Sequence, residues 1–89
     1  MNKKVIVISA VWCPSCLIIK KNIKKLQNEY DVKIEVLDYD FDEDKVLKYN
    51  VGKTLPVIIS EKDNKEIGRR VGEKSYDEIL AFLKGSDII

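Results

Sequence analysis

Val5-Ile6-Val7-Ile8-Ser9-Ala10-Val11-Trp12-Cys13-Pro14-Ser15-Cys16 carries the chain from a continuous apolar run into a proline-led helical pattern. Val5 to Ile8 is apolar and β-branched at every position, as expected of a strand covered on both faces. From Pro14 the period changes. Cys16, Ile19, Ile23, Leu26 and Tyr30 recur at helical spacing, while Lys20, Lys21, Lys24 and Lys25 fill the other side. Pro14 suits the first helical turn, where its missing N–H costs nothing. Both cysteines of the chain, Cys13 and Cys16, stand at this strand–helix junction with two residues between them. Thiols so placed interconvert between dithiol and disulfide with little backbone movement, and in a βαβ setting the spacing reads as a redox pair. Cys13, just before the helix, faces unpaired backbone N–H groups and the positive end of the helix dipole, a setting that favours the nucleophilic thiolate. Cys16, one turn further in, is expected to be more buried and to attack the mixed disulfide.

Working outward, Lys33 to Asp38 alternates as a second strand, and Glu43 to Tyr49 reads as a short helix with Asp40, Asp42, Glu43 and Asp44 favouring its N-terminus. Val57-Ile58-Ile59 is a third strand that follows Pro56. Asp63-Asn64 centres a hairpin turn into a fourth strand, Glu66 to Val71. Ser75 and Glu78 form a capping-box pattern opening a last helix, with Ile79, Leu80, Phe82 and Leu83 as its apolar face. The order β-α-β-α-β-β-α with right-handed crossovers predicts an α/β fold: a mixed four-stranded sheet flanked by helices on both faces.

The chain of 89 residues is expected to form one domain, 1–89. Sixteen basic and 15 acidic side chains leave a net charge of +1, so global charge does not call for nucleic acid or an anionic membrane. Met1 to Ile8 has too short an apolar run for a signal peptide and lacks a small-residue cleavage site. Two cysteines in one tight pair do not make a secreted disulfide framework, which points to a reducing compartment, the cytoplasm. No His is present, which removes His ligands and His general bases. Two thiolates fall short of the four ligands of a structural zinc or iron–sulfur site, so no metal and no cofactor is expected; a bridged dimer supplying four is the alternative. Pro56 follows Thr54-Leu55, and a cis Leu55–Pro56 bond is expected there, the other reading being a trans proline that ends the loop. A cis bond leaves the Leu55 backbone to pair with an extended substrate segment. The lysines at positions 20, 21, 24 and 25 read first as a solvated helix face, and otherwise as a docking patch for an acidic partner.

Taken together, these residues resemble the thioredoxin superfamily over essentially the whole chain, in the compact form without an additional N-terminal strand and helix. Trp12-Cys13 followed by Cys16 matches the Trp-Cys-x-x-Cys of that family, Pro56 falls at its cis-proline, and Arg70-Val71-Gly72 with Ser75, Ile79, Phe82 and Leu83 follows its pattern into the last helix. The resemblance implies a monomeric thiol–disulfide oxidoreductase acting on disulfide-containing proteins, with Cys13 attacking and Cys16 resolving. It also implies a thioredoxin-reductase-like flavoenzyme as electron source. Trp12, Leu55, Pro56, Val71 and Gly72 then form the apolar surface that receives the partner, with Pro14 and Thr54 as further substrate contacts.

The departures are specific. Pro14-Ser15 is closer to the Pro-Tyr of glutaredoxins than to the Gly-Pro of thioredoxins, so a glutathione-dependent, glutaredoxin-like enzyme is the alternative. Yet Ala10 stands where glutaredoxins carry a basic residue, and Gly72-Glu73-Lys74-Ser75 lacks their paired Asp residues. The buried Asp of thioredoxins, six before the nucleophile, is Val7 here, and its companion Lys aligns with Val36. Water is therefore the default acceptor for the Cys16 proton. A third reading is a non-catalytic binding or metal-binding module on the same scaffold.

Overall fold

Strand β1 (Lys3–Ser9) lies inside the sheet, and alternate side chains of its Val5-Ile6-Val7-Ile8 run are buried in two different cores. The structure is a computed structural model that describes residues 2–89, so Met1 of the leader-like start lies outside it. After β1 come helix α1 (Pro14–Glu29), strand β2 (Ile34–Asp38), helix α2 (Glu43–Leu47), strands β3 (Val57–Lys62) and β4 (Lys65–Val71), and helix α3 (Tyr76–Gly85). The sheet order is β2-β1-β3-β4. β1 and β2 are parallel, β1 and β3 antiparallel, and β3 and β4 an antiparallel hairpin. The fold is thus the mixed four-stranded α/β arrangement expected from the element order.

The strand alternation divides the core. Val5 and Val7 pack with Ile19, Ile23 and Leu26 of α1 and Ile79, Phe82 and Leu83 of α3. Ile6 and Ile8 belong to the opposite cluster with Leu37, Val46, Leu55 and both cysteines. Period-two alternation on a strand covered by helices on each side explains why all four positions must be apolar. At Gly68 the Phe82 ring packs closely over the strand: an added Cβ would stand 3.3 Å from it, so the ring would have to give by a few tenths of an ångström.

Local signals account for most boundaries. Asp63 and Asn64 have φ of 52° and 67°, the two left-handed residues of a tight hairpin turn. The Ser75 hydroxyl accepts from the Glu78 N–H, and the Glu78 carboxylate accepts from the Ser75 N–H, each at 3.2 Å, which closes the capping box of α3. Several boundaries differ from the sequence reading: β1 extends beyond Val5 and Ile8 to Lys3 and Ser9, and β4 begins at Lys65, one residue before Glu66. β2 begins at Ile34, one residue later than expected. α2 ends at Leu47 rather than Tyr49; the carboxylate of its N-cap, Asp42, accepts from the Asp38 N–H at 2.8 Å instead of capping the helix. β3 runs on past Ile59 to Lys62, because Glu61 lies opposite Lys4 of β1 and pairs with its ammonium at 3.6 Å. Burial and the nearby Glu61 carboxylate push the Tyr49 phenol up to about 12.

Candidate active site

The turn after β1 delivers both thiols to one place. The Cys13 N–H donates to the Ala10 carbonyl at 3.2 Å, and the Cys16 N–H donates to the Cys13 carbonyl at 3.1 Å. Cys13 is the N-cap of α1, in extended conformation (φ −97°, ψ 112°), with Pro14 opening the helix. Its side chain makes no capping bond to the first turn, so the helix N–H groups are not occupied by it. Both cysteines are free thiols. Cys13 is 7% exposed and Cys16 is 0% exposed, so Cys16 is the deeper of the two.

Burial pushes the Cys16 thiol up to about 11, and its hydrogen bond with Cys13 acts in the same direction. The Ala10 backbone and the Lys20 charge pull the other way more weakly. A buried thiol of this kind resists ionisation until something approaches and changes its surroundings. The expected consequence is measurable by alkylating the reduced protein at a series of pH values and reading each cysteine by peptide mass. Labelling of Cys16 should keep rising towards pH about 11. A plateau near pH 9 would show an unperturbed thiol.

The Leu55–Pro56 peptide bond is cis. The Cys13 thiol donates to the Leu55 carbonyl at 3.8 Å, which ties this loop to the helix start. The Pro56 carbonyl accepts from the Gly72 N–H at 2.8 Å, so the turn after β4 joins the same cluster. Gly72 has φ of +92°, where a side chain would be strained. The Leu55 N–H has no hydrogen-bond partner among the described residues. Three loops far apart in sequence therefore meet at Cys13.

The fold divides the expected receiving surface into two kinds of residue. Trp12 (58% exposed) and Val71 (45%) present apolar side chains to solvent, and Pro14 and Thr54 are exposed as well. Leu55 and Pro56 do not: both side chains are buried, Leu55 in the same cluster as Cys13 and Cys16, so their contribution to a receiving surface is backbone. Val11, Leu17 and Ile18 add exposed apolar surface near the thiols that the sequence reading had not assigned. Their signal was present, since Leu17 and Ile18 lie off the buried stripe of α1.

Asp40 and Tyr39 were also missed. The Trp12 indole N–H donates to the Asp40 carboxylate at 2.7 Å, and the Tyr39 ring meets the indole edge-on with centroids 6.3 Å apart. Asp40 read as a helix-favouring acid, and nothing local announces a partner 28 residues away. A cleft of about 390 Å³ beside α2, lined in part by Tyr39, Asp40, Val46 and Leu47, includes neither thiol. Val7 is 1% exposed in an apolar cluster, and Val36 is half-exposed on the edge strand β2, so neither position supplies an ionisable group to Cys16. Among the described residues no group of three or more His, Cys, Asp or Glu is placed to hold a metal ion, and no helix is long and apolar enough to cross a membrane.

Known proteins agree with this geometry. The family model described as Thioredoxin matches residues 1–85. Thioredoxin 2 of Plasmodium falciparum is 33% identical over 77 residues, covering 84% of this chain; the chain spans about half (48%) of that relative's length. The reduced thioredoxin of Schistosoma mansoni superposes with a TM-score of 0.87 at 28% identity, covering 99% of this chain and 80% of that one. A thioredoxin f2 solved in complex with ferredoxin:thioredoxin reductase has a TM-score of 0.84 at 25% identity, over 97% of this chain and 78% of the other. With Trp12-Cys13-Pro14-Ser15-Cys16 at the start of α1, the cis-proline beside it and a matching sheet, the chain belongs to the thioredoxin family.

Proposed function

We propose that this chain is a dithiol reductant of protein disulfides, working as a monomer in the cytoplasm and recharged by a thioredoxin-reductase-like flavoenzyme. The observation that carries this reading is the unequal thiol pair: Cys13 at the helix N-terminus, and Cys16 buried one turn further in and pushed up to about 11. In the first step the Cys13 thiolate attacks one sulfur of the substrate disulfide. That bond breaks, the departing substrate sulfur takes a proton, and a Cys13–substrate mixed disulfide forms. Cys16 then loses its proton to water and attacks the Cys13 sulfur, releasing the second substrate thiol and leaving a Cys13–Cys16 disulfide. Two electrons pass to the substrate, and the reductase returns them.

The Leu55 N–H and carbonyl would receive an extended substrate segment as an added strand, with the exposed rings and aliphatic groups of Trp12, Pro14 and Val71 beside it and Thr54 and Gly72 at its edges. Reduction by a flavoenzyme or another reductase is supported by kinship with thioredoxins, one of which binds ferredoxin:thioredoxin reductase. The thioredoxin match and the absence of the glutaredoxin basic residue at Ala10 make glutathione the less favoured electron source.

A redox titration that follows the fluorescence of Trp12, the only tryptophan, tests the reading. A midpoint near about −270 mV is expected of a thioredoxin-like reductant, whereas one at roughly −200 to −230 mV would favour glutathione-linked chemistry. No reversible two-electron transition would remove both enzyme readings.

A further inference from the structure

Four residues of α1 form one solvent-facing stripe that starts next to the nucleophile. Leu17 lies four residues after Cys13, and Lys20, Lys21 and Lys24 follow it at i+3, i+4 and i+7. All four are exposed. Outside α1, four cations among the described residues are ion-paired (Lys3 and Lys62 with Asp87, Lys4 with Glu35 and Glu61, Arg69 with Glu66) and the others stand singly, so the lysines of α1 are distinguished by their clustering beside the thiols. On α1 itself, Lys25 is paired with Glu29 and lies over the Tyr76 ring. Lys20, Lys21 and Lys24 have no acidic group within ion-pair distance among the described residues.

Their placement works against the helix. Lys20–Lys24 and Lys21–Lys25 are like-charge i,i+4 pairs, and the last turn, where the dipole would favour cations, holds no basic residue. A solvated face asks only for polar residues there, and neither the spacing nor the dipole asks for like charges gathered at this end of the helix. On the other side of Trp12 the sign reverses, with Asp40 exposed ahead of α2 and Glu43 and Asp44 exposed in its first turn. The thiols sit between a basic flank and an acidic one, in a chain whose net charge is only +1.

We infer that the Lys20-Lys21-Lys24 stripe is a docking surface for protein substrates that carry a cluster of carboxylates beside their disulfide. This inference rests on the oxidoreductase reading and names the substrate class of the same site. The lysines are seven to eleven residues beyond Cys13, or ~10–17 Å along the helix axis at ~1.5 Å per residue. The carboxylates must therefore lie at that distance from the reacting sulfur, and Leu17 meets an apolar residue between them. The acidic flank repels the same cluster, so the partner is held in one orientation. Such attraction raises the rate of productive encounter and is screened by salt.

The test uses two peptides with the same disulfide and a four-residue tail of Glu or Gln, begun about three to five residues from the nearer cysteine to match that reach at ~3.3 Å per residue. At about 0.01 M ionic strength kcat/KM for the Glu peptide should exceed that for the Gln peptide by about 5- to 10-fold, and the ratio should approach one at about 1 M. The triple variant K20Q/K21Q/K24Q should lose the preference, read as the ratio of the Glu to the Gln peptide within that variant, because the Lys20 charge also bears on Cys16 and its loss changes both rates together. A ratio near one in the native protein, or a preference that survives in the triple variant, overturns the inference. Docking is read without turnover by adding the Glu peptide with both cysteines changed to serine and following backbone amide signals. Shifts along α1 that vanish in the triple variant support the surface; their absence at low salt refutes it. Failure to reduce either peptide, with those shifts intact, overturns the enzymatic reading and leaves the docking surface standing.

Discussion

On the proposed mechanism, Cys13→Ser should abolish reduction of protein disulfides, with the rate falling by about three orders of magnitude or more, because the thiolate that would open the substrate bond is gone and a serine hydroxyl does not replace it. Cys16→Ser gives a different failure. The first attack proceeds, but nothing resolves it, so a covalent Cys13–substrate adduct accumulates in up to stoichiometric amount. The asymmetry follows from position: Cys13 caps α1 next to the exposed Trp12, while Cys16 is fully buried behind it. Mass spectrometry of each variant mixed with a disulfide-bonded substrate checks both outcomes at once. An adduct on Cys16 in the Cys13→Ser variant, with none on Cys13 in the other, would reverse the assigned roles. Retained turnover in Cys13→Ser would remove the mechanism.

Val7→Asp should be the most damaging single change to stability considered, lowering the unfolding free energy at pH 7 by about 3–5 kcal/mol. Val7 lies on the central strand among apolar neighbours of α1 and α3, and it is 1% exposed. The resemblance drawn from the sequence sets the buried acid of thioredoxins at this position, so the substitution asks whether this core accommodates one. No cation of the cluster around Val7 is available to pair with it. Burial disfavours the charged form, so the folded-state pKa of the new acid lies above the unfolded value of about 3.9. A raised folded pKa means that the ionisation penalty is absent below pH about 4 and grows as pH rises past it. Urea unfolding of both proteins at pH about 4 and 7 should therefore show a smaller deficit at the lower pH. Equal deficits at the two pH values, or a loss under about 1 kcal/mol at pH 7, would show that the site is wetter or looser than the packing implies.

Much of this architecture is legible residue by residue. The Val5–Ile8 run announces a doubly covered strand, Pro14 and the Ile19-Ile23-Leu26 spacing announce α1, and Ser75 with Glu78 announces the start of α3. Each of these is a local matter of periodicity, capping or turn chemistry. Less legible are the features that depend on a distant neighbour. β3 extends through Ser60 and Glu61 because β1 lies beside it and Lys4 meets the carboxylate, although polar residues at a strand end normally read as loop. Leu55 and Pro56 are identifiable as a site loop, but their burial follows from how that loop packs in the fold, where the Leu55 carbonyl accepts from the Cys13 thiol 42 residues away.

The amino-acid sequence alone determined the elements and the chemistry. Two cysteines at one strand–helix junction, a proline ahead of the third strand and a chain without His restrict what the site can do, because those properties belong to single side chains and their immediate spacing. Only the tertiary structure decided how the two thiols differ and what surrounds them. Cys16 is raised because the closed core removes it from water, and Trp12 is held at the rim because Asp40, 28 residues away, reaches its indole N–H. Desolvation and long-range contact arise when separate segments pack together, and no spacing along the chain encodes them by itself.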